Sequence, residues 1–185
     1  GGDVLQSAAG IDTVVLDKTG TITQGRPVVT DTVILTDLRV RLRNPFESRE
    51  DALLWLTASA EKGSEHPLGS AVVQSAVERR LIPADPERFE AVSGHGIRAV
   101  VLGLAVLAGN RRLMEDNGIE TSAVTPDLDR LADEGKTPLL VAVDGKLAAI
   151  IAVADTLKPT AAKAVSQLQA MGLKVLMITG DNPRT

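Results

Sequence analysis

The stretch Thr13-Val14-Val15-Leu16-Asp17-Lys18-Thr19-Gly20-Thr21 constrains the fold more than any other in the chain. Apolar residues, two of them β-branched, run directly into an aspartate and then into a Lys-Thr-Gly turn. That order reads as a buried parallel strand delivering a carboxylate to its C-terminal end, the edge where open α/β sheets place their chemistry. A bare Asp-x-x-Gly is more often a solvated turn, so the strand alone leaves Asp17 undecided. A second strand of the same kind, Lys174 to Ile178, leads into Thr179-Gly180-Asp181. It follows an expected helix from Pro159 to Met171, apolar at Ala162, Val165, Leu168 and Met171 and ended by Gly172.

Between these strands the pattern changes. Val28 to Leu35 is β-rich, and the polar stretch with Arg39, Arg41, Arg43 and Pro45 reads as a surface loop or edge strand with solvated arginines. Ser48 is placed to cap a helix from Arg49 to Lys62 that carries Trp55 toward the core and stops at Gly63. Pro67 suits the first turn of a second helix, from about Leu68 to Arg80, with His66 at its mouth. Phe89 to Val92, Arg98 to Leu102 and Leu104 to Ala108 read as strands, the last two as a hairpin around Gly103. Thr125-Pro126 opens a helix ending at Gly135, and Asp144-Gly145 joins Thr137–Val143 to Lys146–Ala154 in the clearest hairpin of the chain. These pieces make an antiparallel sheet with flanking helices, inserted into an α/β domain. The expected domains are residues 1–25 and 155–185 for the outer one and 26–154 for the insertion.

Composition removes several classes of function. A net charge of −4, a pI near 5.2 and 2% aromatic residues argue against a nucleic-acid partner. Without cysteine there is no disulfide frame and no thiolate metal site. The longest apolar run, Leu147 to Ala154, is too short to cross a bilayer, and no signal peptide is expected at the start. Gly94-His95-Gly96 lacks the third glycine and the following helix of a dinucleotide fingerprint.

Asp17-Lys18-Thr19-Gly20-Thr21 resembles the phosphorylation motif of P-type ATPases. Five further strings resemble that family in its order: Ser64-Glu65-His66-Pro67-Leu68, Gly94-x-Gly96-Ile97, Gly109-Asn110-Arg111, the hinge Asp155-Thr156-Leu157-Lys158-Pro159, and Thr179-Gly180-Asp181. The Ser64–Leu68 string points to the heavy-metal branch, and the Glu65 and Gly69 that flank its His-Pro-Leu look more like copper-transporting members. The resemblance implies a partial haloacid-dehalogenase-like (Rossmannoid) phosphorylation domain with an inserted nucleotide-binding domain. In it, Asp17 is the nucleophile that takes the γ-phosphoryl of ATP, beside Lys18 and Thr19. Thr179, Gly180 and Asp181 hold the transferred group, and Asp17 and Thr19 are the implied Mg²⁺ ligands. Glu61 and His66 meet the adenine, and Gly94, Gly96, Ile97, Gly109 and Asn110 line the nucleotide pocket. Gly94 and Gly96 are there expected to let a nucleotide lie against the backbone, and His95 to be exposed and incidental.

Two features refine this reading. Soluble phosphatases of the same fold carry a second aspartate two residues after the first, where this chain has Thr19. The acyl phosphate should therefore persist and drive a conformational change, which favours a pump over a phosphatase. The family's Gly-Asp-Gly-x-x-Asn-Asp string, which completes the Mg²⁺ site, is missing. The expectation is thus a soluble cytoplasmic piece of a membrane pump that binds ATP or ADP, autophosphorylates poorly by itself, and works with the pump's transmembrane and actuator domains. The transported heavy-metal ion would bind in the membrane part and not here. The alternatives are a soluble haloacid-dehalogenase-type phosphatase with a large cap and a stand-alone nucleotide-binding regulator.

Overall fold

The computed structural model describes residues 11–42 and 46–178. They fall into two compact units, one of residues up to Arg26 together with those from Asp155 onward, the other Pro27–Ala154.

The second unit is built on a six-stranded sheet. Its strands are β2 (Thr23–Ile34), β3 (Arg88–Val92), β4 (Gly96–Val101), β5 (Leu104–Gly109), β6 (Thr137–Val143) and β7 (Lys146–Leu157), in the order β2-β7-β6-β5-β4-β3. Neighbours from β3 to β7 pair antiparallel. Because successive side chains leave opposite faces of a strand, β6 and β7 divide between two cores. Leu139, Val141, Val143, Ala149, Ile151 and Val153 join one cluster, and Leu140, Ala142, Ile150 and Ala152 the other. Burial on both faces explains the unbroken apolar run Leu147 to Ala154.

The first cluster is covered by α2 (Arg49–Glu61) and α3 (Pro67–Glu78), the second by α4 (Arg111–Asp116) and α5 (Thr125–Asp133). Helix α2 starts where Ser48 Oγ accepts from the Asp51 amide at 2.9 Å. Every residue from Ala52 to Glu61 is buried, wider than the stripe its apolar spacing predicts. Thr57 and Ser59 are tolerated there because their hydroxyls donate to the carbonyls of Leu53 and Trp55 one turn back. Trp55 is a core residue whose Nε1 donates to Ile82 O at 2.7 Å.

Two local expectations change. Residues 39–42 form a short helix, α1 (Arg39–Leu42), where a loop or edge strand is expected. Leu38 and Leu42, four apart, are buried in the first core, and Asp37 accepts from the Arg39 amide and guanidinium. Strand β2 begins at Thr23 and passes through Pro27; as an edge strand it can carry a residue with no amide to donate.

In the first unit, β1 (Thr13–Asp17) pairs parallel with β8 (Lys174–Ile178), with Asp17 opposite Ile178. The parallel pairing matches the expectation, but the burial does not. Val15, Leu176, Met177 and Ile178 are exposed, and α6 (Ala161–Ala170) buries none of its residues. A two-stranded sheet beside one helix has no second layer among the described residues to cover its other face.

Candidate functional site

The site in the second unit begins where α2 ends. Ser64 N bonds Glu61 O at 2.8 Å, turning the chain into the Gly63-Ser64-Glu65 loop. His66 then caps α3: its Nδ1 accepts from Leu68 N at 3.2 Å, which puts the proton of the neutral ring on Nε2. Pro67 at the first helical position costs nothing, since that amide has no partner within the helix. Glu61 is only 3% exposed. Burial pushes its carboxyl up to about 7, against the opposing pull of a hydrogen bond from the Ser64 hydroxyl. Gly69 is what lets α3 close on this pair, because a Cβ there would collide with Glu61 Oε2 and lie 2.9 Å from Ser64 Oγ.

The opposite wall comes from the β4–β5 hairpin. Gly96 pairs with Gly109, and a Cβ on Gly96 would fall on Ala108 O and 2.5 Å from Gly109 Cα. With φ at +141° as well, Gly96 is needed to bring the two strands together, a different task from exposing backbone to a ligand. Gly94 does have open space where a Cβ would stand. Asn110 fixes this loop to α4: its Oδ1 accepts from Leu113 N at 3.0 Å, capping the helix, and its Nδ2 donates to Gly94 O at 2.9 Å. His95 is half-buried, contrary to expectation, with Nδ1 at 2.7 Å from Ser93 O.

A cavity of about 800 Å³ lies between these walls. Glu61, His66, Gly94, Gly96, Ile97, Gly109 and Asn110 all line it. Sequence reasoning missed Ser64, Phe89, His95 and Leu139, which line it too. Phe89 precedes Gly94 by five residues but reads only as a strand residue, and Leu139 lies on a strand remote in sequence from the motif strings, so no local signal marks either as lining the cavity.

In the first unit, Asp17 ends β1 and is exposed. The turn that follows leaves Thr19 extended and Gly20 at φ +76°. Thr23, almost fully buried, holds it: its Oγ1 accepts from Gly20 N at 3.1 Å and stands 3.1 Å from Lys18 O. Asp155 anchors Thr23 in turn, accepting from Thr23 Oγ1 at 2.5 Å and from the Gly25 and Arg26 amides at 3.1 Å. Lys158 Nζ donates to Gly20 O at 2.6 Å. The hinge string thus grips the turn after Asp17, a role its sequence does not announce. Thr179, Gly180 and Asp181 lie outside the described residues.

A strand-borne aspartate followed by a Gly turn, with a large insertion before the next parallel strand, defines a class. Residues 11–185 match the family model for haloacid dehalogenase-like hydrolases, and the chain belongs to that family. The copper-exporting P-type ATPases of Bacillus subtilis (strain 168) and Staphylococcus aureus (strain bovine RF122 / ET3-1) are 44% and 46% identical to this chain over its whole length. The chain spans 22% and 21% of those relatives. A zinc-transporting PIB-type ATPase in its E2.Pi state superimposes on 94% of the chain with a TM-score of 0.77 and 36% identity, over 26% of its own length. The catalytic domain of the CPx-ATPase CopB-B shares the fold, with a TM-score of 0.67 at 23% identity over 98% of this chain and 58% of its own.

Proposed function

We propose that these residues are the ATP-binding and phosphorylation region of a heavy-metal-transporting P-type ATPase, with copper as the cation. The observation that carries this is the cavity, which gathers on one wall or another every residue expected to meet the nucleotide. The copper-exporting relatives support the choice of branch.

In this reading, Pro27–Ala154 is the nucleotide-binding domain. Adenine enters between the α2–α3 turn and the 93–96 loop, where Glu61 offers a buried carboxyl and His66 a flat ring with a donor at Nε2. An Asp17 carboxylate oxygen attacks the γ-phosphorus of ATP. The bond from that phosphorus to the β–γ bridging oxygen breaks, and ADP leaves. Repulsion between two anions opposes this step, and the Lys18 ammonium and the amides of the turn other than Gly20 N, which is given to Thr23 Oγ1, reduce it. Thr23 and Asp155 keep that turn in place. The donor set at the end of β1 is hard oxygen, which suits Mg²⁺; Asp17 and Thr19 would hold it, and it would neutralise phosphate charge. Among the described residues there is no group of three or more His, Cys, Asp or Glu that could hold a metal ion. In this reading the cargo ion binds in the membrane part of the pump.

No helix among the described residues is long and apolar enough to cross a membrane. The proposal places the region on the cytoplasmic side, working against the transmembrane and actuator domains of the parent. Thr19, where soluble phosphatases of this fold hold a second aspartate, leaves nothing to favour the phosphatase alternative. Incubating the full-length parent with γ-³²P-labelled ATP and quenching in acid should trap label on the wild type and none on Asp17→Asn. Label of equal intensity on the variant would refute the assignment.

A further inference from the structure

Glu61 is an uncommon group to find in the floor of a ligand cavity. It is 3% exposed, and among the described residues no Lys, Arg or His pairs with its carboxyl. The adjacent Lys62 is turned away, paired with Asp85 at 2.6 Å and directed at Pro83 O. The elements packed on this end of α2 offer little else: β5 has no titratable residue, β4 has the exposed Arg98, and α3 has Glu78 at its far end. The remaining titratable groups around the cavity are Glu65, His66 and His95.

Two helix ends meet here and their fields oppose. As the last residue of α2, Glu61 sits where the helix dipole disfavours an anion. The first turn of α3 would favour one, but two of its amides are engaged, Leu68 N donating to His66 Nδ1 and Ser70 N to His66 O, and no backbone amide lowers the Glu61 carboxyl. Ser64 supplies the carboxyl's one hydrogen bond among the described residues. With the helix ends offsetting one another, burial without a cation decides the matter, and burial favours the uncharged form.

The base to be recognised has a matching asymmetry. The Watson–Crick edge of adenine carries one donor, the N6 amine, beside one acceptor, N1. An ionised carboxylate has acceptors only and would set an oxygen lone pair against the lone pair of N1. From these observations we infer that Glu61 binds adenine as a neutral carboxylic acid, its O–H donating to N1 and its carbonyl oxygen accepting from the N6 amine. The nucleotide site therefore takes up adenine only with a proton already on this side chain. This rests on the nucleotide reading above and adds to it a dependence on pH. The direction of the carboxyl's titration, upward to about 7, agrees.

The test is ATP affinity from pH 6 to pH 8.5 by calorimetry, for the wild type and for Glu61→Gln. Glutamine is isosteric, always carries a donor beside an acceptor, and cannot ionise. Both proteins keep Glu65, His66 and His95, so the ratio of their affinities cancels those groups and the titration of ATP itself. Wild-type affinity should match the variant's at pH 6 and fall about tenfold below it by pH 8, since a required proton is lost about tenfold per pH unit above the pKa. With 1-deaza-ATP, which lacks the N1 acceptor, both proteins should bind weakly and the pH dependence of the ratio should vanish. A Glu61→Gln variant that binds ATP more weakly than wild type at pH 8, or a ratio constant with pH, overturns the inference while leaving the nucleotide site standing. Absence of ATP binding by the wild type at every pH would instead overturn the site itself, and this inference with it.

Discussion

Replacing Glu61 by glutamine should stabilise the protein at neutral and alkaline pH, although it removes an ionisable residue from the floor of a ligand cavity. In the unfolded chain this carboxyl titrates near 4.5, and in the folded one near 7. The folded state therefore holds the proton more tightly between these values, and stability falls as pH rises through that window. The gap from 4.5 to about 7, at about 1.36 kcal/mol for each pH unit, costs the wild type about 3 kcal/mol once Glu61 is ionised. Below pH 4.5 the acid is neutral in both states, so wild type and Glu61→Gln should unfold alike. By pH 8 the variant should be more stable by up to about 3 kcal/mol, the limit set by burial of the group. Urea titrations of both proteins from pH 4.5 to 8.5 measure the difference directly. Asp31 does not confuse the comparison: hydrogen bonding to Lys136 lowers its pKa, so its contribution is lost only as pH falls below the ordinary carboxylate range. Parallel stability curves for the two proteins would show that Glu61 is solvated or paired in the folded state, and the reasoning would fail.

Three other substitutions probe the frame. Gly96→Ala should destabilise by about 2–4 kcal/mol in urea, because the added Cβ meets the backbone of β5 at a positive φ; a loss under about 0.5 kcal/mol would contradict the packing described. Asn110→Asp should retain the helix cap but lose the donor to Gly94 O, weakening ATP binding more than stability, whereas Asn110→Ala should also cost about 1 kcal/mol of stability. Equal effects of the two on both measurements would count against that division of labour. Asp155→Ala should accelerate amide hydrogen exchange at Gly25 and Arg26, each of which loses its acceptor; unchanged protection there would show that the hinge does not hold the turn.

Much of the architecture was legible because its signals are local. The Ser48 cap, Pro67 after the His66 cap, and Asp144-Gly145 between apolar runs each act over a few residues, and each element starts or turns there. The apolar strand into Asp17 and its parallel partner were legible for the same reason. What escaped depends on distance in the chain. Helix α1 forms where arginines alternate because Leu38 and Leu42 find a core made mostly by later residues. Asp155 reads as a hinge residue, and only the fold brings it to Thr23, 132 positions earlier. The carboxyl of Glu61 could be assigned to a base from a resemblance, but its burial comes from α3 closing over it at Gly69, and so does its raised pKa. His95 looked incidental between two glycines; the turn that ties its ring to Ser93 O also places it at the cavity.

The central claim is that adenine nucleotide occupies the cavity between the α2–α3 turn and the β4–β5 hairpin. Amide NMR spectra of the isotopically labelled chain, titrated with ATP, test it most directly. The account predicts saturable shifts concentrated at Ser64 to Gly69, Gly94 to Ile97 and Gly109–Asn110, with much weaker binding for His66→Asn, which keeps a helix cap and removes the ring. Shifts that cluster away from these segments, or a His66→Asn titration that superimposes on the wild type, would contradict it.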